Sequence, residues 1–268
     1  MWILVAAIII ALVACLIFWM RSYDDLVIVS AHYKEDLEWL KRSRWPVIIC
    51  DKPGGSETSF DSDPTCTLNE NRGREASSYL KYIIENYDNL PNKIAFIHGH
   101  EDADHQRYPR GMLQAIEDAR SDEFDFISLN NWIHLKKDTG SQPQLPNHPN
   151  SHEFGEHPKI YEEMRNNWDT VFRPFLGIDI PQYFRFPSCA QFIVTRRAIH
   201  RHPKSVYQKL YDFMMEPGSD DWARGVVLEF TWHMIFTEQG HDICNDPSDI
   251  SMYESCNDEA YRKSRFNF

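Results

Sequence analysis

A chain of 268 residues in which 40 acidic side chains outweigh 28 basic ones has a formal charge of −12, with no basic stripe to offset it. That speaks against a nucleic-acid-binding surface and against polyanionic partners, which need clustered Lys and Arg to track phosphates. Beyond an apolar start, residues 23–268 suit one compact domain with a single core.

From Trp2 to Met20 nineteen residues pass without a charge, and Arg21 ends the run. At about 1.5 Å per residue such a helix reaches roughly 28 Å, close to the ~30 Å hydrocarbon core of a bilayer. The expectation is a single-pass membrane protein anchored by residues 1–22. A cleaved signal or a lipoprotein signal around Leu12-Val13-Ala14-Cys15 competes with this, but no basic residue precedes the run and apolar residues continue past Cys15. Arg21, Lys34, Lys41 and Arg42 follow the anchor, which favours a cytoplasmic domain by the positive-inside tendency, although long domains override that bias. The chain has no Asn-x-Ser/Thr acceptor. The side of the membrane therefore stays open.

The next run, Leu26 to Ser30, reads as a short buried strand, Glu35 to Arg42 as a helix, and Val47 to Cys50 as a second strand: a β-α-β opening. Asp51 to Asn71 is rich in Gly, Ser, Asp, Pro and Asn and predicts a long loop of the kind that often carries function. Arg74 to Tyr87 places Ala76, Leu80, Ile83 and Ile84 at helical spacing, and Asp88-Asn89-Leu90-Pro91 stops it. Lys93 to Ile97 is a strand, Arg110 to Arg120 a helix, and Phe124 to Leu129 a strand. Gln142 to His157 predicts a loop, and the aromatic, Pro-containing stretch Trp168 to Pro187 a flap or core cap. Ala190 to Thr195 closes the strand set, followed by helices at Pro203 to Met215 and Trp222 to Phe236. Alternation of this kind predicts an α/β domain with a mostly parallel sheet flanked by helices, its ligand site at the carboxyl ends of the strands. The cysteines outside the anchor (Cys50, Cys66, Cys189, Cys244, Cys256) are widely spaced, odd in number and without a CxxC pair. They indicate neither a disulfide framework nor a zinc knuckle, although Cys244 and Cys256 are close enough in sequence to pair.

Three groups of residues carry candidate chemistry. His98, His100, Glu101, Asp102, Asp104 and His105 follow directly on an apolar strand. Side chains at i and i+2 of an extended chain point the same way, so His98 and His100 can converge on a cation, with Asp102 and Asp104 as further ligands. The plain alternative is imidazoles bonded to backbone and solvated acids. Next, Asn71, Arg72 and Arg74 surround a helix entrance, where free N–H groups and two guanidinium groups suit a phosphate, or where Asn71 or Gly73 is simply a cap. Last, Asp221 at a helix start and Glu229 among apolar neighbours are candidates for a general base. Helix capping is the alternative for Asp221, and an ion pair for Glu229.

Asn71 to Ile83, Ala95 to His100, Ala190 to His202 with Pro203 and Tyr207, and Glu229 to Phe236 match a set of motifs that is specific in combination. On them the chain resembles the fungal and viral family known as domain of unknown function 3431, over about Leu26 to Thr237. The layout of that family resembles the GT-A type of nucleotide-sugar transferase, a Rossmann-like arrangement. The resemblance implies a membrane-anchored enzyme moving a sugar from a nucleotide-sugar donor to a glycan or other hydroxyl acceptor. His32 and Tyr33 would meet the base, with Arg72 and Arg74 on the diphosphate. A divalent cation (Mn or Mg, with Zn less favoured) would sit among His98, His100, Asp102 and Asp104. Glu229 or Asp221 would act as base. One departure stands out: His98-Gly99-His100 occupies the place where such transferases carry Asp-x-Asp. Two other functions compete. One is a metal-dependent hydrolase, since the His/Asp run is similar to that of metallo-β-lactamase-like enzymes, though no Gly-His-Ser/Thr-x-Gly supplies further ligands. The other is a non-catalytic membrane-tethered binding protein.

Overall fold

The computed structural model describes residues 26–102, 111–119, 125–130, 133–137, 158–180, 183–187 and 190–237. The apolar run 2–20 and the loop 142–157 lie outside them. Among the described residues no helix is long and apolar enough to cross a membrane.

The elements run β1 (Leu26–His32), a 3-10 turn (Glu38–Arg42), β2 (Val47–Asp51), α1 (Arg74–Asn86), β3 (Lys93–His98), α2 (Met112–Ala119), β4 (Phe126–Ser128) and β5 (Ile133–Lys137). There follow α3 (Pro158–Asn167), a π turn (Trp168–Phe172), α4 (Arg173–Leu176), β6 (Tyr183–Pro187), β7 (Phe192–Thr195), α5 (Arg196–Ile199), α6 (Lys204–Met215) and α7 (Asp221–Phe236). Five strands form one sheet in the order β2-β1-β3-β7-β4, and β5 pairs with β6 in a separate antiparallel ribbon.

The α/β class holds, but the sheet is mixed rather than mostly parallel. β2, β1 and β3 are parallel, whereas β7 runs antiparallel to both β3 and β4. The chain reaches β7 through α3, α4 and β6 instead of a single crossover helix, so the rule that a short βαβ connection enforces a parallel neighbour does not apply to it.

Strand alternation sorts the core into two layers. Val29, Ala31, Ile94, Phe96, Phe192 and Val194 face α1, α3, α6 and α7. Leu26, Ile28, Ile49, Ala95, Ile97 and Ile193 face the 3-10 turn and α2. On the first face an aromatic ladder crosses from helix to sheet to helix: Tyr79 lies 4.7 Å from Phe96, Phe192 lies 5.5 Å from Trp232, and Trp232 stacks on Phe236 at 5.7 Å. The aromatic stretch beginning at Trp168 belongs to this core rather than to a flap at its start, since Trp168 and Phe172 are fully buried.

Helix α7 is buried nearly all round, from Ala223 to Leu228 and from Phe230 to Phe236. An apolar stripe on one side alone underestimates it, because a helix enclosed by α1, α3, α6 and the β5–β6 ribbon has no solvent face to keep polar. A disulfide joins Cys50, in β2, to Cys66 across sixteen residues, a pairing that the cysteine spacing did not indicate. Closing a loop of that length contributes about 3 kcal/mol.

Arg224 pins three helices from inside. Its Nε donates to Glu163 Oε2 at 2.7 Å in α3, and its guanidinium also bonds the Phe213 carbonyl of α6 and Glu216 just beyond it. Removing Arg224 leaves the Phe213 carbonyl and the mostly buried Glu163 without their cation, while Glu216 keeps its contact with water. Arg224→Met is therefore expected to lower the unfolding free energy by about 3 kcal/mol. Lys159→Ala, which breaks the exposed pair with Asp220, should cost less than about 1 kcal/mol. Urea titration of the two variants reads the difference, and equal losses would show that Arg224 holds nothing in place.

Candidate functional site

The site forms at the carboxyl edge of the three parallel strands. The chain leaves β1 to one side for β2 and returns to the other for β3, so the strand order reverses between β1 and β3. In open α/β sheets that reversal opens a crevice for a ligand. Lys52 follows β2, Glu35 follows β1, His98 ends β3, and the first turn of α1 supplies Arg74 and Glu75.

Lys52 organises the α1 entrance. It is 5% exposed, and its Nζ donates to the Arg72 carbonyl at 2.9 Å, to Ser77 Oγ at 3.1 Å and to the Arg74 carbonyl. Burial pushes the ammonium down to about 8, against the pull of Glu75 and Asp221. To aim both carbonyls at one cation the backbone turns left-handed, at φ +75° in Gly73 and φ +44° in Arg74. For a non-glycine residue such a conformation is strained and needs its surroundings to hold it. Gly225 of α7 gives Arg74 its passage: a Cβ there would stand 2.7 Å from Arg74 Cδ.

The other residues of the entrance have partners within the protein. The Arg72 guanidinium donates to the Glu216 carbonyl at 2.7 Å and the Ser219 carbonyl at 2.9 Å, clamping α1 to the α6–α7 connection. The Gly73 amide donates to Asp221 Oδ1, so Asp221 caps α1 from the neighbouring helix. Asp220 caps α7 itself through the Ala223 amide. Asn71 is exposed on the turn before the clamp. Of the two arginines, Arg74 is the one that keeps a substantially exposed side chain, 46%, with Nε 3.9 Å from Glu75 Oε2.

Electrostatics gathers further carboxylates here. Burial pushes the Tyr79 hydroxyl well above its ordinary range, and Glu75, Glu229 and Glu35 raise it further. The charge of half-buried Glu229 on α7 thus acts on the same hydroxyl as that of Glu75 in the first turn of α1. Burial also holds His98 below the ordinary imidazole value, with His100 and Arg74 adding to the depression and Glu75 and Glu35 opposing it. Burial works to raise Glu35 too, but the Tyr33 and Lys34 amides that donate to it, with His100 nearby, bring its carboxyl below the usual value.

His98 and His100 do not converge. β3 ends at His98, whose Nε2 is shielded from water, while His100 is 57% exposed with Nε2 3.9 Å from Glu35 Oε1. Between them Gly99 packs so closely that a Cβ would stand 2.6 Å from Glu35 Cβ, and its carbonyl accepts from Trp39 Nε1 at 2.9 Å. The glycine makes room for Glu35 rather than for an ion. His100, Glu101 and Asp102 instead line an open groove of about 590 Å³ with Asp36, Glu38 and Arg42. Among the described residues no three His, Cys, Asp or Glu side chains gather to hold a metal ion, and Asp104 lies outside them. Of the set expected at His98, His100, Asp102 and Asp104, the described members are not gathered around one point.

His32 belongs to the opposite face from Lys52 and His98, by strand alternation. Its Nδ1 meets Asp51 Oδ1 at 2.9 Å, and Asp51 also accepts from the Lys52 amide and Ser62 Oγ. A wholly buried imidazole fixed by a carboxylate braces the ends of β1 and β2 rather than reaching toward a base. Sequence reasoning passed over Glu35, Lys52 and Glu75. Lys52 lies in a loop of turn-forming residues, where a single Lys gives no signal. Glu75 lies in the first turn of α1, where an acid ordinarily complements the helix dipole and gives no further signal.

His98, His202 and His233 all have imidazoles depressed by burial, His233 to about 3. The unfolded chain binds their protons more readily than the fold does, so stability is fully present above about pH 6.5 and declines as pH falls toward 3. The urea midpoint is expected to drop between pH 7 and pH 5, with a shallower drop in His233→Leu. A midpoint that stays level over this range would contradict the burial of these rings.

The family model described as "Protein of unknown function (DUF3431)" matches residues 27–253. Neither a curated protein nor a solved structure matches the chain. Since the family match takes in every described element of the sheet and its flanking helices, the chain belongs to the DUF3431 family.

Proposed function

We propose that this protein is a glycosyltransferase-like enzyme that moves a sugar from a nucleotide-sugar donor to a hydroxyl acceptor, tethered to a membrane through the apolar run 2–20. The observation that carries this reading is that Glu75 and Glu35, at the carboxyl edge where the parallel strand order reverses, act on both Tyr79 and His98, with Arg74 also acting on His98 and Glu229 on Tyr79. Of these groups Tyr79, His98 and Glu35 have shifted protonation, and such groups beside a strand-order reversal mark sites of chemistry.

The roles follow from the exposure and charge of these groups. Arg74 presents an exposed guanidinium suited to a bidentate hold on the donor diphosphate. Arg72 and Lys52 act behind it, since their donors already face backbone carbonyls. Glu229, a half-buried carboxylate on α7 whose charge acts on Tyr79, is the preferred base for the acceptor hydroxyl. No step is assigned to a metal ion, given the separation of His98 from the groove that holds His100 and Asp102.

Thermal unfolding of the full chain in detergent, with a panel of UDP- and GDP-sugars, tests this. One donor is expected to raise the midpoint. Arg74→Ala should weaken that donor about tenfold or more, the scale of a charged hydrogen bond. Glu229→Gln should leave the thermal response intact and lower transfer at least a hundredfold, as loss of a general base does. A response to zinc alone, with hydrolysis, would replace this reading by the metal-dependent hydrolase. Silence toward every nucleotide sugar would replace it by the binding protein.

A further inference from the structure

We infer that the folded domain works in an oxidising compartment, on the lumenal or extracellular side of its membrane, with Cys50–Cys66 as a permanent structural bond. This goes beyond the reading of the site and does not depend on the reaction performed there.

The argument rests on where the pair sits. The Cα atoms of Cys50 and Cys66 are 4.8 Å apart, inside the window that a disulfide spans without moving backbone. Both residues are 0% exposed and belong to the core that also contains Ala31, Leu80 and Ile83. A redox-sensing pair needs an accessible thiol for exchange, and this one offers none, so the bond is structural. Among the described residues no third Cys, His, Asp or Glu joins it to make a metal site. The segment it closes is polar and irregular, but backbone bonds tie it to β2 on both sides of the bridge: the Asp63 amide donates to the Ile49 carbonyl at 3.1 Å, and the Leu68 amide to the Asp51 carbonyl at 2.9 Å.

The bond thereby fixes the very end of β2, where Asp51 braces His32 and Lys52 holds the α1 entrance. Structural disulfides of this kind persist in secretory compartments and outside cells, and are kept reduced in the cytosol. Forming it removes two protons and two electrons from the thiols. A protein disulfide of the same compartment takes them up by thiol–disulfide exchange and is itself reduced to a dithiol. The basic residues after the apolar run favour the cytosol, but that bias yields to a long folded domain.

The test uses the full chain in membranes from its own cells. Thiols are blocked under denaturing conditions with a light maleimide, then the protein is reduced and labelled with a heavy one. Peptides bearing Cys50 and Cys66 are expected to carry the heavy label in nearly every molecule. Light label on both would overturn the inference. In sealed vesicles from the endoplasmic reticulum, protease added outside is expected to spare the domain until detergent opens the membrane. Digestion before detergent would likewise overturn it.

Discussion

The arrangement of this domain depends on one buried ammonium group. Lys52 carries its charge into the junction of β2, α1 and α7, where an ammonium without partners would cost several kcal/mol. Two carbonyls and a hydroxyl surround it, and their geometry dictates the left-handed turn at Gly73 and Arg74. Everything nearby answers to that turn. Arg72 is drawn across to the carbonyls before α7, the Gly73 amide faces Asp221, and Arg74 is delivered over Gly225 toward Glu75. A charge that stabilises nothing by itself thus specifies one conformation of the helix entrance.

The sheet then divides the chemistry between its faces. Lys52 and His98 fall on the α1 side, His32 and Asp51 on the side of the 3-10 turn, because neighbouring residues of a strand point oppositely. Glu35 lies at the edge between them. It packs on Gly99, its charge reaches Lys52, His98 and Tyr79 on one side, and it stands 3.9 Å from His100 on the other.

What the sequence made legible was the local physics. The helix of Arg74 to Asn86 and the strand of Lys93 to His98 follow from apolar spacing, and both stand where that spacing places them. The direction of β7 was not legible, because no local pattern records that the chain detours through α3 and the β5–β6 ribbon before returning. Nor was the separation of His98 from His100. The i, i+2 rule assumes that a strand continues, and here it stops at the first histidine, as Gly99 folds against Glu35. Glu229 was legible as a carboxylate among apolar residues that required an explanation, and the structure brings it to Tyr79 together with Glu75. The Cys50–Cys66 bond left no spacing motif, since its partners meet through the path of a loop.

The clamp also decides between two ways of holding an anion at Asn71 to Glu75. A helix entrance ordinarily offers its first amides and the positive end of its dipole. Here a protein carboxylate, Asp221, already accepts from the Gly73 amide, and the carbonyls of Arg72 and Arg74 face inward to Lys52. An anionic ligand that sought the amide would have to displace Asp221 and expose its charge to Glu75 nearby. One that met the exposed guanidinium of Arg74 would leave the Asp221 cap in place and share the guanidinium with Glu75, 3.9 Å from its Nε. The Asp221 cap and the inward-facing carbonyls thus leave the guanidinium of Arg74 as the solvent-facing cation of this turn, its backbone at φ +44° held by the ammonium beneath it.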